Sequence, residues 1–297
     1  MNTPPLTRPP GTPSGATAQL PPIGAVRTAA TAQRERYGPW AVVTGASDGI
    51  GRAFARALAA AGLNLVLVAR RAHELEALAR ELAAQHAIDC RVLAVDLADR
   101  DAMLQLQDAT WELDVGLMVA CAGFGSAGPL LEQEAATEAA MVDVNCRAVL
   151  QQCWHFGRRF AARGRGGVVL MSSLVAFHGT PWSANYAATK AYVQSLAEAL
   201  AHEWQSQHID VIACAPGPVA SGFARRAGMQ MARADRPQVV AERTLALLGR
   251  RHTVRPGTLS KVLGWSLATA PRGLRVAIMG RIMRGMAAAP VEPGRAA

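Results

Sequence analysis

From Trp40 onward the chain alternates short apolar runs with longer segments of helical period. The runs AVVTG (41–45), LNLVLVA (63–69), RVLAVD (91–96), VGLMVAC (115–121), GVVLMS (167–172) and DVIACA (210–215) are apolar almost throughout and do not alternate with polar residues. A strand covered by helices on both faces buries both sets of side chains, so such runs predict parallel strands inside a sheet. Between them, 52–62, 73–85, an acidic stretch near 99–110, 137–162 and 185–205 read as helices, each long enough to cross back over the sheet. Right-handed crossovers turn this order into one α/β unit, an open, doubly wound parallel sheet flanked by helices. Its ligands are expected at the carboxyl ends of the strands. A further amphipathic helix over 236–251 is expected to finish the core.

Composition changes this picture mainly at the two ends. The first 38 residues are rich in Pro, Thr, Ala and Gly without an apolar period, so 1–38 is expected to be a disordered arm. They contain no compact apolar segment behind a basic start, and no run reaches 18 apolar residues, so neither a secretory signal nor a membrane span is expected. The net charge of +9 is concentrated late, with 14 Lys and Arg against 3 Asp and Glu in residues 225–297. This divides the chain into the arm, a domain over 39–256, and a basic helical extension over 257–297. The segment 258–286 mixes apolar residues with cations, and two readings stand. It is a helical pair completing a substrate pocket or subunit interface, or an interfacial helix in peripheral contact with anionic lipid. Nucleic acid is not an expected partner, because no stacking aromatics accompany the arginines. Five scattered cysteines with no CxxC spacing argue for reduced thiols in a cytoplasm, and against a metal site or disulfides.

The candidate chemistry begins at TGASDGIG, 44–51, between the first strand and first helix. Gly45 permits a tight turn, while Gly49 and Gly51 let the backbone approach a pyrophosphate at the amino end of a helix. Farther on, Tyr186 and Lys190 stand four residues apart on one helix face. A neighbouring ammonium favours the phenolate, which suits a tyrosine to acid–base work near neutral pH. Neither Tyr37 nor Tyr192 has a lysine at that spacing.

The spacing TGxxxGxG together with YxxxK resembles the short-chain dehydrogenase/reductase family, over roughly residues 39–222, and implies a Rossmann-type dinucleotide fold. The resemblance implies a catalytic set of Asn145, Ser173, Tyr186 and Lys190. In it Ser173 holds the substrate oxygen, Tyr186 moves the proton, and Asn145 fixes a water that relays protons through Lys190. Ser172, one residue earlier, is expected to face the other way. The same resemblance places Ile50 with the glycines, Asp96 and Leu97 at the adenine, and Pro216, Gly217 and Val219 beside the nicotinamide. It also sets ACAG (120–123) where the family commonly has two asparagines before alanine and glycine. Both asparagines are absent here, and Ala122 and Gly123 leave room for the adenosine ribose. Cys121 is expected to be a packing residue beside the cofactor, neither nucleophile nor ligand.

Cofactor choice is argued from the end of the second strand, where Ala69, Arg70 and Arg71 replace an acidic partner for a ribose hydroxyl. Two arginines ahead of a helix amino terminus oppose its dipole, so an anionic 2′-phosphate is expected, with Ser47 adding a hydrogen bond. NADP(H) is therefore the expected cofactor. Asp48 is expected to cap the helix that follows it. Met229 and Met231 are candidates for an apolar substrate wall, and His178 is left outside the catalytic set. The expected function is an NADP(H)-dependent oxidoreductase interconverting a carbonyl and an alcohol on a fairly apolar small molecule by hydride transfer, as a homodimer or homotetramer. The alternatives are a catalytically idle NADP(H)-binding regulator on the same fold and, disfavoured by the glycine spacing, a sugar epimerase or dehydratase.

Overall fold

The computed structural model describes residues 29–230, 234–257 and 270–287. Its sheet has seven parallel strands in the order β3-β2-β1-β4-β5-β6-β7. These are β1 (Trp40–Thr44), β2 (Asn64–Ala69), β3 (Cys90–Ala94), β4 (Val115–Ala120), β5 (Gly166–Met171), β6 (Ile209–Cys214) and β7 (Thr253–Val254). The first six coincide with the apolar runs to within two residues at either end. The seventh, set against β6 through Ala213 and Cys214, is too short to leave a pattern.

The absence of alternation has the expected cause. Ala41, Val43, Leu65, Leu67, Leu117 and Val119 point into one core, and Val42, Val66, Val68, Met118 and Ala120 into another on the opposite face. The first core is closed by α2 (Gly49–Ala60), α3 (Ala72–His86) and α9 (Pro237–Leu247). The second is closed by α4 (Ala102–Thr110), α6 (Ala148–Arg163) and α7 (Ala184–Glu203). Strand order reverses between β1 and β4, which opens a crevice at their carboxyl ends.

Two expectations are corrected. The arm does not run to residue 38, because α1 (Ala29–Tyr37) is helical; residues 1–28 lie outside the described residues. What holds this end is tertiary: the buried Tyr37 hydroxyl donates to Asp210 Oδ2 at 2.6 Å, and Arg36 Nη2 donates to Oδ1 at 2.8 Å. The helix expected over 137–162 is α5 (Ala135–Val142) and α6, joined by a π-turn, Asp143–Arg147. The wider turn brings Asn145 to full burial.

Candidate active site

One cavity of about 630 Å³ occupies the crevice. On one side it is bounded by Gly45, Ser47, Gly49, Ile50 and Gly51, by Arg70 and Arg71, by Asp96 and Leu97, and by Ala122 and Gly123. Ser173, Tyr186, Lys190, Pro216, Gly217 and Val219 complete that half. Among the described candidate residues, Asn145 stands behind the wall, fully buried.

The glycine loop is shaped for close approach. Gly45 has φ +69°, and a Cβ there would stand 2.8 Å from the Ala122 nitrogen. Gly49 has φ +52°, and its Cβ would stand 2.7 Å from Ser221 Cβ. Neither position accepts a side chain, so bare backbone at the start of α2 faces the cavity, as an anionic group requires. Arg71, at the amino end of α3, donates through Nη2 to Ser47 Oγ at 3.0 Å and to the Ser47 carbonyl at 3.2 Å. Its charge also acts on the Glu74 carboxylate, which Arg52 bonds directly. Arg70 Nη1 lies 3.5 Å from Asp96 Oδ2, and Asp96 Oδ1 accepts from the Ala98 N–H at 3.0 Å. Arg71 and Ser47, with Arg70 on the same cavity wall, offer two guanidiniums and a hydroxyl, a donor set that fits a phosphate monoester.

Asp48 departs from expectation. It occupies the N-cap position of α2 with extended backbone, yet its side chain makes no cap hydrogen bond. Instead Oδ2 accepts from the Gly222 N–H at 3.1 Å and from Arg226 Nη1 at 3.2 Å, at the short helix α8 (Gly222–Arg226). Partial burial works to raise this carboxyl; the Arg226 hydrogen bond and charge, with the Gly49 and Gly222 amides, outweigh it and hold the pKa below the ordinary carboxylate range. These bonds join the glycine loop to the segment after β6. Ser221 caps α8 by accepting from the Phe223 N–H at 3.3 Å.

The acid–base group sits across from the loop. Ser173 stands two residues beyond β5, where its Oγ accepts from the Val175 N–H at 3.4 Å, and it lines the cavity with Tyr186. Ser172 Oγ donates to the Lys190 carbonyl at 3.2 Å, so it serves the packing of α7. Lys190 Nζ donates to the Met171 carbonyl at 2.8 Å and lies 5.7 Å from the Tyr186 ring centroid. Burial dominates both titrations. It pushes Tyr186 up to about 12, against the opposing Ser173 hydrogen bond, and lowers Lys190 to about 8. Asn145 Oδ1 accepts from the Phe124 N–H at 3.2 Å, while Nδ2 donates to the Phe124 carbonyl at 2.9 Å and to Thr189 Oγ1 at 3.0 Å. A Cβ on Gly123 would stand 2.9 Å from Asn145 Oδ1 and 3.4 Å from Lys190 Nζ, so only glycine leaves those two groups facing each other.

Comparison with known proteins decides the family. A family model described as short chain dehydrogenase matches residues 39–232. The chain belongs to the short-chain dehydrogenase family. Among its relatives, this dehydrogenase is 35% identical over 178 residues to a 7beta-hydroxysteroid dehydrogenase of Mediterraneibacter gnavus, covering 60% of this chain and 68% of that one. A solved structure of 7beta-hydroxysteroid dehydrogenase superposes with TM-score 0.77 at 29% identity, over 83% of this chain and 98% of the other. A short-chain dehydrogenase from Sphingobium yanoikuyae in complex with NADPH superposes with TM-score 0.71 at 25% identity, over 88% and 99%.

The ACAG segment is tied through its backbone. Thr44 Oγ1 accepts from the Cys121 and Ala122 N–H groups, each at 3.2 Å, and so ties β4 to β1. The Cys121 thiol is pushed up to about 12 by burial, reinforced by Cys214 and opposed by Lys190, so it stays protonated and unreactive at neutral pH. His178 does not line the cavity. Met231 and residues 258–269 lie outside the described residues. The remainder of the basic segment forms α10 (Arg272–Met286), whose Met279, Ile282, Met283 and Met286 line the cavity opposite the glycine loop, with Phe223 and Met229. No helix among the described residues is long and apolar enough to cross a membrane. Phe223, whose ring centroid is 5.4 Å from that of Tyr186, and Thr189 were missed in the sequence. Thr189 directly precedes Lys190, but its link to Asn145 spans 44 residues. The signal for α10 was the mixture of apolar residues and cations over 258–286, one reading of which was a helical pair completing a substrate pocket.

Proposed function

We propose that the chain is an NADP(H)-dependent carbonyl reductase or alcohol dehydrogenase acting on a fairly apolar small molecule, with Tyr186 as general acid and base. The observation that carries the reading is that Ser173, Tyr186 and Lys190 stand on the wall of the same cavity that the glycine loop and Arg71 border. In this reading Gly45, Gly49, Ile50 and Gly51 cradle the pyrophosphate, Ser47, Arg70 and Arg71 take the 2′-phosphate, and Asp96 and Leu97 meet the adenine. Ala122 and Gly123 make room for the ribose, with Pro216, Gly217 and Val219 at the nicotinamide. When bound, the cofactor supplies or accepts the hydride. Ser173 donates to the substrate oxygen, and Tyr186 gives or takes the proton at that oxygen. Lys190, held by the Met171 carbonyl, keeps a positive charge beside the tyrosine and leads away from it toward Asn145.

Residues 39–256 are taken as one dinucleotide-binding domain, and 257–297 as an extension whose α10 completes the substrate half. Five free thiols fit a cytoplasmic setting. Exposed Leu150 and Trp154 on α6 and Tyr192 on α7 suit a homo-oligomeric interface. The test is NADPH oxidation over carbonyls graded by size and polarity, with Tyr186→Phe as the blank. Turnover by the natural protein, abolished in the variant, is expected. NADPH binding with no turnover of any carbonyl would favour the idle regulator.

A further inference from the structure

We infer that Met279 and Met283 of α10, with Met229, form the specificity wall of this site. The inferred substrate is a ketone or secondary alcohol with a body of two or more fused rings, or equal bulk, uncharged where it meets this wall. This rests on the reductase reading above. Met279 and Met283 are one helical turn apart and are 3% and 4% exposed, although α10 has cations along its outer face at Arg272, Arg281 and Arg284. From Met279 to Met286 the wall runs about 10 Å at about 1.5 Å per residue, longer than a single six-membered ring. The stretch of wall formed by Phe223, Met229, Met279, Ile282, Met283 and Met286 is apolar, and the cations Arg225 and Arg226 of α8 line the same cavity outside it. A charge laid against the methionines themselves would meet no polar group on that wall, whereas an apolar body gains from contact with adaptable thioethers.

The wall is also a distinct packing unit. Ala227, Met229 and Met283 form a small apolar cluster separate from both sheet cores, flanked by Trp182 and Phe223. It is fastened at its far end, where the Gln230 N–H donates to the Met286 carbonyl at 2.8 Å and Met229 bridges Ala287. Midway, Arg284 lies 5.1 Å from the Trp182 ring centroid. A Cβ on Gly280 would stand 3.1 Å from Pro181 Cγ, so α10 lies close on the loop before α7. The element that shapes the substrate space is therefore held to the Tyr186 side of the site by its own contacts.

The experiment compares kcat/KM for 2-decalone and cyclohexanone in the natural protein and in Met279→Ala, Met283→Ala and the near-isosteric Met283→Gln, with NADPH affinity as the check on folding. The natural protein is expected to prefer 2-decalone at least tenfold, and each variant to cut that preference about tenfold. An unchanged ratio, or a parallel loss on both ketones, overturns the wall. Calorimetric titration of 2-decalone into the protein loaded with NADP+ separates this inference from the reductase reading. If no ketone is turned over, the reductase reading fails. Decalone binding that weakens in the three variants then still supports the wall, and binding that is absent or equal in all of them overturns it.

Discussion

Asp48 Oδ2 accepts a hydrogen bond from the Gly222 N–H at 3.1 Å, joining two loops that are 174 residues apart in the chain and border the same cavity. In Asp48→Asn this junction loses its charge. The expected loss of stability at pH 7 is under about 1 kcal/mol, because the Arg226 partner is partly solvated, while NADPH affinity falls several-fold as the loops separate. The folded pKa is depressed, so the contribution is present above the ordinary carboxylate range and is lost as pH falls through the folded value. Denaturant melts of the two proteins should therefore converge on acidification below about pH 4.

Arg71 is the cation most committed to the loop, through its bonds to Ser47. Arg71→Ala is expected to weaken NADPH binding by about 10- to 100-fold, the worth of one charge-assisted hydrogen-bond set. NADH binding should change little. Fluorescence titration with both cofactors checks this, and an equal loss for the two would remove Arg71 from the 2′-phosphate.

Lys190 is buried and its pKa is lowered to about 8 by desolvation. Below pH 8 both the folded and unfolded chains hold the proton, so the cost of burying the charge is fully present. Between there and the ordinary lysine value the unfolded chain alone stays protonated, and the cost fades as pH rises. Lys190→Met should therefore stabilise the cofactor-free protein at pH 7, by roughly 1–3 kcal/mol after loss of the bond to Met171. The gain should shrink toward pH 10, and turnover should vanish at every pH. Thermal melts across pH 6–10 read the first effect, and the ketone assay the second.

Asn145→Ala leaves the Phe124 N–H and carbonyl and the Thr189 hydroxyl without their partner. A loss of about 1–3 kcal/mol in unfolding free energy is expected from stranding buried polar groups. Because those bonds position the chain at Gly123, kcat should fall more than NADPH affinity. A variant that melts normally and turns over normally would show that the π-turn has no part in the site.

Much of this molecule was legible in the sequence for identifiable reasons. Val42 and Val43 face opposite cores, so a run that never alternates announced its own double coverage. Gly45 and Gly49 needed positive φ, which restricts the residue type locally, and Tyr186 with Lys190 used the fixed geometry of one helix. What was missed has the opposite character. Asp48 is a proper N-cap residue by local rules, but Gly222 and Arg226, distant in sequence, took its carboxylate. Thr44, from the neighbouring strand, accepts the Cys121 and Ala122 N–H groups, a tie across 77 and 78 residues of chain.

The sequence by itself determined the strands, the crossover helices, the phosphate loop and the tyrosine–lysine spacing, because each depends on period or on the conformations open to one residue. Only the tertiary structure decided that Asn145 turns inward at a π-turn, that α1 docks through Tyr37 on Asp210, and that α10 folds its methionines over the site. Those outcomes depend on which buried polar groups and apolar faces find one another across long stretches of chain, and no local pattern encodes that meeting.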